Sequence, residues 1–293
     1  MKAIKFPLKV YSIAGSDSTR FLHGMLSCDI KKLSTVEGAC SRFLFLEPNG
    51  RLFSEGYVLS LSAQSYLIFM SPGQTPEFFK KLDHFLIADD VRVEEFSQYQ
   101  NFALLLEGTV PSKESEITSL SSEFGAKMFQ TKTTDGGLIL PLANFGPYGR
   151  IRASTESIEN VEWISDEEFH QWRVENAIAM WGKDYFAGQL CVEFPLQDAI
   201  SLNKGCYIGQ EVVAKATVRG KPPHNTVRLL QVPECEENAE VLDEAGTVVG
   251  KLLSRCGSQS LAWLRRPVVE AESPIFVNKQ KVLIEKVLSN FKV

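Results

Sequence analysis

Short β-forming segments follow one another at regular intervals through the last quarter of the chain. Six of them are separated by turn-forming residues, at 227–232, 240–242, 248–254, 261–264, 274–277 and 280–285. Strands this short leave unpaired edges, and closing them into a barrel pairs both edges of each strand. The sequence therefore predicts a small C-terminal β-barrel. The Pro, Gly and Asn residues of 219–225 predict a linker before it, so we expect domains at 1–220 and 221–293.

The region before this linker mixes helices and strands. Three β-forming runs at 41–46, 51–61 and 65–70 predict an antiparallel meander. Ser16-Asp17 offers an N-cap, and the apolar residues that follow at helical spacing from Phe21 to Ile30 predict an amphipathic helix of about four turns. Thr75-Pro76-Glu77 begins a second helix. The order of the elements predicts a ferredoxin-like subdomain at about 74–145 and an α+β fold class.

A further helix is predicted after Ser165, which forms a capping box with Glu168. We expect it to run to about Met180 and to end at Gly182. Glu175 lies within it, and a carboxylate near a helix end can accept hydrogen bonds from the adjacent N–H groups of a pterin or guanine edge. The residues alone favour the simpler interpretation, a solvated charge on the helix surface.

The composition excludes several classes of protein. With 293 residues the chain is long enough for two or three cores, and its net charge of −5 argues against strong nucleic-acid binding. No apolar run approaches the roughly 20 residues that span a bilayer, and the N-terminus lacks the apolar core of a secretory signal. We therefore expect a cytoplasmic protein with no direct membrane contact.

The cysteines do not form a recognisable metal or disulfide pattern. Six occur, none in a C-x-x-C pair and none followed by a histidine at zinc-ligand spacing. A reducing compartment also disfavours disulfides. No metal site is predicted, and most of the six are expected to be small buried apolar residues.

The segment that carries the most chemistry is Lys204-Gly205-Cys206-Tyr207-Ile208-Gly209-Gln210-Glu211. Its two glycines permit backbone conformations closed to other residues and let a ligand approach the main chain, which predicts a loop built around a site. Lys204 and exposed main-chain N–H groups favour a Cys206 thiolate, although a cysteine without a histidine partner is often inert. Arg219 could clamp an anionic ligand tail or be an exposed strand-end charge.

This octapeptide resembles the K-G-C-Y-x-G-Q-E signature of the YgfZ family of folate-binding proteins, relatives of the aminomethyltransferase (T-protein) of the glycine cleavage system. The likeness extends over most of the chain. It includes Gly15-Ser16-Asp17 with Phe21-Leu22-His23-Gly24, Asn49-Gly50-Arg51, Arg173-Val174-Glu175, Trp181-Gly182-Lys183-Asp184 and Arg219-Gly220. The octapeptide is highly specific, and the other matches are weak individually but occur in the right order.

The resemblance implies an aminomethyltransferase-like fold around a central pocket for tetrahydrofolate or a derivative. It implies that Glu175 contacts the pterin and that Cys206 is the functional thiol. The other implied binding residues are Arg173, Lys204, Tyr207, Gln210 and Arg219. It also implies a role in the assembly or repair of iron–sulfur enzymes, including tRNA-modifying ones, with those enzymes or assembly proteins as partners.

Two departures from the family bear on the chemistry. The aminomethyltransferases have an aspartate pair after the hairpin glycines. Residues 50–55 of this chain lack that pair, and Glu55 is the nearby acidic residue that could take its place. Gln197 also stands where many relatives have glutamate. An accessory role is therefore favoured over classical catalysis. The alternative is a folate-dependent one-carbon transferase of aminomethyltransferase or demethylase type.

Overall fold

The computed structural model describes residues 2–106, 119–121, 128–130, 132–134, 137–141, 150–219 and 222–289. The chain forms two compact units. The first comprises Met1–Ser165 and Asp198–Gln210, and the second comprises Asp166–Gln197 and Glu211–Val293. Residues 220 and 221, where the sequence predicts a domain boundary, lie outside the described residues, and that boundary stays a prediction.

One sheet of the first unit has seven strands. They are β2 (Lys9–Ala14), β3 (Ala39–Leu46), β4 (Leu52–Ser62), β5 (Ser65–Met70), β6 (Arg92–Glu95), β8 (Ser119–Ser121) and β9 (Met128–Gln130). Their order is β6-β2-β5-β4-β3-β9-β8, and every neighbouring pair is antiparallel. The predicted meander is confirmed as β3-β4-β5, with strand ends within two residues of those expected.

A second sheet in this unit has six strands. They are β1 (Lys2–Lys5), β7 (Asn101–Leu106), β10 (Lys132–Thr134), β11 (Gly137–Pro141), β12 (Arg150–Ser154) and β13 (Glu162–Trp163), in the order β10-β11-β12-β7-β1-β13. The segment 74–145 therefore supplies strands to both sheets, because β7 pairs with the N-terminal β1 while β6 pairs with β2. Its described strands do not form a separate sheet.

The helices of the first unit are α1 (Ser18–Met25), α2 (Ile30–Leu33) and α3 (Thr75–Phe85). The start of α3 is confirmed. The predicted start of α1 after Asp17 is confirmed. The expectation that the same helix continues to Ile30 is wrong, because Leu26 forms a β-bridge with Phe45 and the Ser27 amide donates to the Leu44 carbonyl at 3.0 Å. Tertiary pairing with β3 thus ends α1 one turn before α2 begins.

The second unit contains the predicted barrel. Its strands are β14 (His224–Leu230), β15 (Glu240–Leu242), β16 (Val248–Cys256), β17 (Gln259–Arg265), β18 (Ile275–Val277) and β19 (Gln280–Val287). They close in the order β14-β17-β16-β15-β18-β19, with β19 pairing back onto β14. Alternate residues of these strands, such as Val227, Leu229, Leu252 and Leu264, fill the interior. The barrel is confirmed, with all six strands near their expected positions.

The helices of the second unit are α4 (Asp166–Glu175), most of α5 (Gln210–Ala214), whose first residue belongs to the first unit, and α6 (Arg266–Glu270). A π-helical turn at Lys215–Arg219 continues α5. Short 3₁₀ turns occur at Cys191–Glu193 and at Gln197–Ala199, of which the second is divided between the units. The predicted end of α4 near Met180 is wrong. Ala177 has a φ of 57°, the Ala177 amide donates to Val174, and the Ile178 amide donates to Arg173, which is a Schellman ending. None of the described helices is long and apolar enough to cross a membrane.

Candidate functional site

The segment that leads into the octapeptide is fastened to the turn after α1. Ser27 is fully buried, and its hydroxyl donates to the Ala199 carbonyl at 2.6 Å while accepting the Leu44 amide at 2.8 Å. The Ser201 amide in turn donates to the Ser27 carbonyl at 3.0 Å. One small polar residue therefore connects β3, the turn after α1 and the segment from Asp198 onward.

Lys204 is the second fastening point. Its side chain is buried, and its ammonium donates to the carbonyl oxygens of His23 at 2.6 Å, Cys28 at 2.9 Å and Leu26. The same nitrogen lies 4.7 Å from the centre of the Tyr207 ring, within the range of a cation–π contact. Burial lowers the pKa of Lys204 to about 8. The residue predicted to bind a ligand thus places its charge inside the first unit.

The main chain after Cys206 is also held in place, at Ile208 and Gly209. The Ile208 amide donates to the Gly24 carbonyl at 3.2 Å. Gly209 has a φ of 82°, and a Cβ at that position would lie 2.6 Å from the Glu47 carbonyl oxygen. Only glycine fits such a left-handed backbone so close to another main chain. Gly205, in contrast, has no positive φ, so of the two glycines of the octapeptide only Gly209 has a backbone conformation that favours glycine.

Cys206 is exposed between these fixed points. Of the other cysteines, Cys28, Cys40 and Cys191 are buried, and Cys235 and Cys256 are half-buried. Burial raises the pKa of the Cys28 and Cys191 thiols to about 12. The three N–H groups of Lys204 are all taken by carbonyls, so none remains for the Cys206 sulfur. Within the described ranges no cluster of potential metal ligands is found.

Tyr207 and Gln210 complete the octapeptide's contribution to the first unit. Tyr207 is buried, with its ring beside the Lys204 ammonium, whereas Gln210 is half-buried at the start of α5. The Gln210 amide donates to the Tyr207 carbonyl at 3.2 Å. These contacts close the loop on itself after Cys206 and leave the thiol exposed.

His23 lies against the octapeptide from α1. It is buried, and its Nε2 atom is 3.4 Å from the position that a Cβ on Gly205 would take. Burial, and then the charge of Lys204, lower the pKa of His23 to about 4, although Asp29 Oδ1 lies 3.5 Å from His23 Nδ1. The imidazole is therefore neutral at pH 7.

The low pKa of His23 predicts a specific loss of stability in acid. The unfolded chain binds a proton at His23 below pH 6.5, whereas the folded chain binds it only near pH 4. The stability that the neutral imidazole contributes is therefore complete above pH 6.5 and is lost as the pH falls from 6.5 to about 4. One full proton corresponds to about 1.4 kcal/mol per pH unit, and solvent screening lowers this limit. Urea unfolding of His23→Gln is expected to depend less on pH between 7 and 4.5 than the wild type, whereas the exposed His84→Gln should match it.

Two of the predicted residues, Arg173 and Glu175, lie at the end of α4 in the second unit. Arg173 is buried, and its Nη1 donates to Asp184 Oδ2 at 2.7 Å and to the Ile178 carbonyl at 3.3 Å. Its Nη2 donates to the Ser254 hydroxyl on β16 and lies 3.2 Å from His170 Nδ1. The buried guanidinium therefore connects three parts of the second unit: α4, the loop that contains Asp184, and strand β16 of the barrel.

Glu175 is exposed at the last position of α4, where it accepts one hydrogen bond from Gln171 at 2.8 Å. A carboxylate at a helix C-terminus is opposed by the helix dipole. This placement lowers helix stability slightly, and the exposed carboxylate is compatible with both a ligand contact and a solvated helix charge, so its role stays a prediction. Arg219 ends the turn after α5, and its side chain lies outside the described residues.

The seven predicted residues are thus divided between the two units. Lys204, Cys206, Tyr207 and Gln210 lie together in the first, and Arg173, Glu175 and Arg219 lie in the second.

A buried charge cluster was not predicted from the sequence. Arg42 on β3 is almost inaccessible; its Nη2 donates to Glu55 Oε2 at 2.6 Å, and its Nη1 lies 3.2 Å from Asp198 Oδ1. It therefore connects the β3–β4 hairpin to the start of the segment that carries the octapeptide. The only signal in the sequence was an arginine within the otherwise apolar strand of Ser41–Leu46.

Comparison of the fold with solved structures gives a clear match. The crystal structure of the glycine cleavage system aminomethyltransferase T from Bartonella henselae superimposes with a TM-score of 0.76, at 14% identity, over 99% of this chain and 86% of that one. No protein-family model matches the chain.

Curated sequence relatives are similar to this chain over most of its length. The tRNA-modifying protein YgfZ of Blochmanniella pennsylvanica is 22% identical over 237 residues, which cover 76% of this chain and 69% of the relative. The chain has the aminomethyltransferase fold and is YgfZ-like in sequence. The mitochondrial iron-sulfur cluster assembly factor IBA57 homolog of Dictyostelium discoideum is 22% identical over 277 residues, covering 84% of this chain and 67% of the relative. An uncharacterised Haemophilus influenzae protein is 21% identical, over 95% of this chain and 94% of its own length.

Proposed function

We propose that this YgfZ-like chain is a cytoplasmic folate-binding accessory protein that supports the assembly or repair of iron–sulfur enzymes, including tRNA-modifying ones. Cys206 is its functional thiol. The observation that carries the proposal is the octapeptide loop, which is fastened before and after Cys206 while that thiol remains exposed. A loop held this way can present a reactive group to a partner without first being ordered.

The names of two relatives support the role. One is a tRNA-modifying protein and another is an iron–sulfur cluster assembly factor. Both aligned segments include most of the chain, so the similarity is not restricted to one motif. From the first name we take the link to tRNA modification and from the second the link to iron–sulfur cluster assembly, and we propose client enzymes or assembly proteins as partners.

The proposed folate ligand is tetrahydrofolate or a derivative, and Glu175 is its proposed pterin contact. A pterin edge presents adjacent N–H donors and needs a carboxylate with free acceptor capacity. Glu175 fits this need because it is exposed and Gln171 occupies only one of its acceptor positions among the described contacts. Arg173 is buried against Asp184, so we assign it to fixing the end of α4. Ligand contacts by Lys204, Tyr207, Gln210 and Arg219 stay predictions.

Calorimetric titration with 5-formyltetrahydrofolate tests the ligand. We expect saturable binding to the wild type and at least about tenfold weaker binding to Glu175→Gln, because a hydrogen bond to a charged acceptor contributes about 1.5–3 kcal/mol. Glu167→Gln, a change in the first turn of the same helix, is the matched control and should bind like the wild type. Absence of wild-type binding at high micromolar ligand would refute the folate proposal.

The thiol is tested separately in cells. Cys206→Ala should fail to complement a strain with a defect in iron–sulfur enzyme maintenance, while its melting temperature stays close to that of the wild type because the side chain is exposed. Cys256→Ala is the control and should complement. Full complementation by Cys206→Ala would remove the thiol from the function.

The aminomethyltransferase fold favours one alternative, a folate-dependent one-carbon transferase or demethylase. Glu55 is the acidic residue that we named for such chemistry, and its carboxylate is bound by the buried Arg42 at 2.6 Å. An acid engaged in this way is better suited to holding the hairpin than to serving a substrate. Incubation with methylated amines and tetrahydrofolate should therefore give no turnover, and turnover that Glu55→Gln abolishes would favour the transferase.

A further inference from the structure

We infer that Lys204 is a positioning residue: its side chain closes the C-terminal end of α1 and so fixes the loop that presents Cys206. The inference deepens the proposed function, on which it rests for the importance of the thiol. It differs from the ligand-binding role that the sequence predicts for Lys204.

The first argument is the set of groups that the ammonium satisfies. A helix ends with carbonyls that lack an intrahelical partner, and α1 has no glycine cap because Leu26 follows it in an extended conformation. Lys204 donates to the His23 carbonyl in the last turn and to the Leu26 and Cys28 carbonyls just after it. A cation is also favoured there by the helix dipole. The side chain therefore does the work of a C-terminal cap from a distant part of the chain.

The second argument is the short span between attachments. Lys204 is bound to the end of α1, and four residues later the Ile208 amide donates to the Gly24 carbonyl of the same helix. Cys206 lies midway between these two attachments. Since both ends of the loop are held by one rigid element, the position of the thiol is set by α1 and depends on Lys204.

The third argument is that the attachment can titrate. The pKa of Lys204 is lowered to about 8 by burial, with Cys28 and Asp29 opposing the shift and Lys31 adding to it. The other titratable groups that face it are His23 and Tyr207. A neutral amine donates two hydrogen bonds and an ammonium three. Deprotonation therefore leaves one of the three carbonyls without its donor and loosens the loop.

The experiment reads the environment of Cys206 directly. A trifluoromethyl label is attached to Cys206 in a Cys235→Ser, Cys256→Ser background, and its ¹⁹F shift is followed from about pH 6.5 to 9.5. We expect a transition with a midpoint near pH 8 in the parent and none in Lys204→Met. Amide exchange at Ile208 should be at least tenfold faster in Lys204→Met. Lys215→Met, which removes an exposed lysine paired with Glu211, should behave like the parent.

Two outcomes would overturn the inference. One is amide exchange at Ile208 that is no faster in Lys204→Met than in the parent or, if that variant does not fold, no faster in the parent at about pH 9.5 than the intrinsic pH dependence of exchange requires. The other is an unchanged transition in Lys204→Met. The label test needs neither folate nor a client enzyme, so failure of complementation or of folate binding would contradict the proposed function and leave the positioning role standing.

Discussion

Replacement of Asp184 by alanine is expected to lower the free energy of unfolding of the second unit by about 3–5 kcal/mol, the usual cost of removing one partner of a buried ion pair. Both oxygens of Asp184 are engaged, because Oδ2 accepts Arg173 Nη1 and the Met180 amide while Oδ1 accepts the Ser254 amide. The variant leaves the buried Arg173 guanidinium without a counter-ion and two amides without acceptors.

Urea unfolding monitored by tryptophan fluorescence measures this loss. Glu211→Ala is the matched control, since it also breaks a carboxylate–cation pair, with Lys215, but both side chains are exposed. Water replaces such contacts at little cost, so its midpoint should stay within experimental error of the wild type. A loss in Asp184→Ala no larger than in Glu211→Ala would mean that the Arg173 cluster does not stabilise the unit. The Arg173→Met, Asp184→Leu double variant should recover part of the loss because no unpaired charge remains.

The strands of the barrel and the meander were predictable because their signals are local. Each strand has an alternating or continuous apolar pattern, and most turns have Gly, Asn or Pro, as in Pro48-Asn49-Gly50. Pairing between neighbours in sequence then gives the meander, whereas the barrel also needs β14 to pair with β17 and β19, and β15 with β18, which only the closed fold brings together. The start of α3 was also predictable from a local signal, since Pro76 is tolerated only in the first turn of a helix.

The two misplaced helix ends have different causes. The periodicity from Phe21 to Ile30 continues through a break that β3 imposes by pairing with Leu26, a contact between distant residues. The end of α4 is local: the helix stops at Glu175 because Ala177 adopts a left-handed conformation that usually indicates glycine. Neither break has a local signal in the sequence.

The candidate site was only partly predictable, because several of its contacts join residues that are distant in sequence. The octapeptide could be recognised as a special loop, because residues of such varied chemistry rarely occur together between two glycines. The use of Lys204 could not be foreseen, since its three acceptors are main-chain carbonyls about 180 residues away. The Arg42 cluster likewise depends on Asp198, which is 156 residues distant. Sequence patterns show which residues have unusual chemistry, and the fold determines which partners they meet.

Substitution of Gly209 by alanine is the second change expected to have a large effect, a loss of about 2–5 kcal/mol from the first unit. A left-handed conformation costs an alanine about 1–2 kcal/mol, and overpacking adds typically 1–3 kcal/mol. Both apply because φ is 82° and the new Cβ would lie 2.6 Å from the Glu47 carbonyl oxygen and 2.9 Å from Leu46 Cβ. The main chain at Glu47 belongs to the β3–β4 hairpin, so the loop must move away from it.

Gly205→Ala provides the control within the same octapeptide. Its Cβ would meet only His23 Nε2, at an ordinary contact distance of 3.4 Å, and its backbone needs no positive φ. We expect a change in unfolding free energy below about 1 kcal/mol. Because Gly209 holds the loop after Cys206, Gly209→Ala should also alter the rate at which iodoacetamide alkylates that thiol, whereas Gly205→Ala changes this rate less. Equal losses of stability in the two variants would show that the close approach to Glu47 does not constrain the loop.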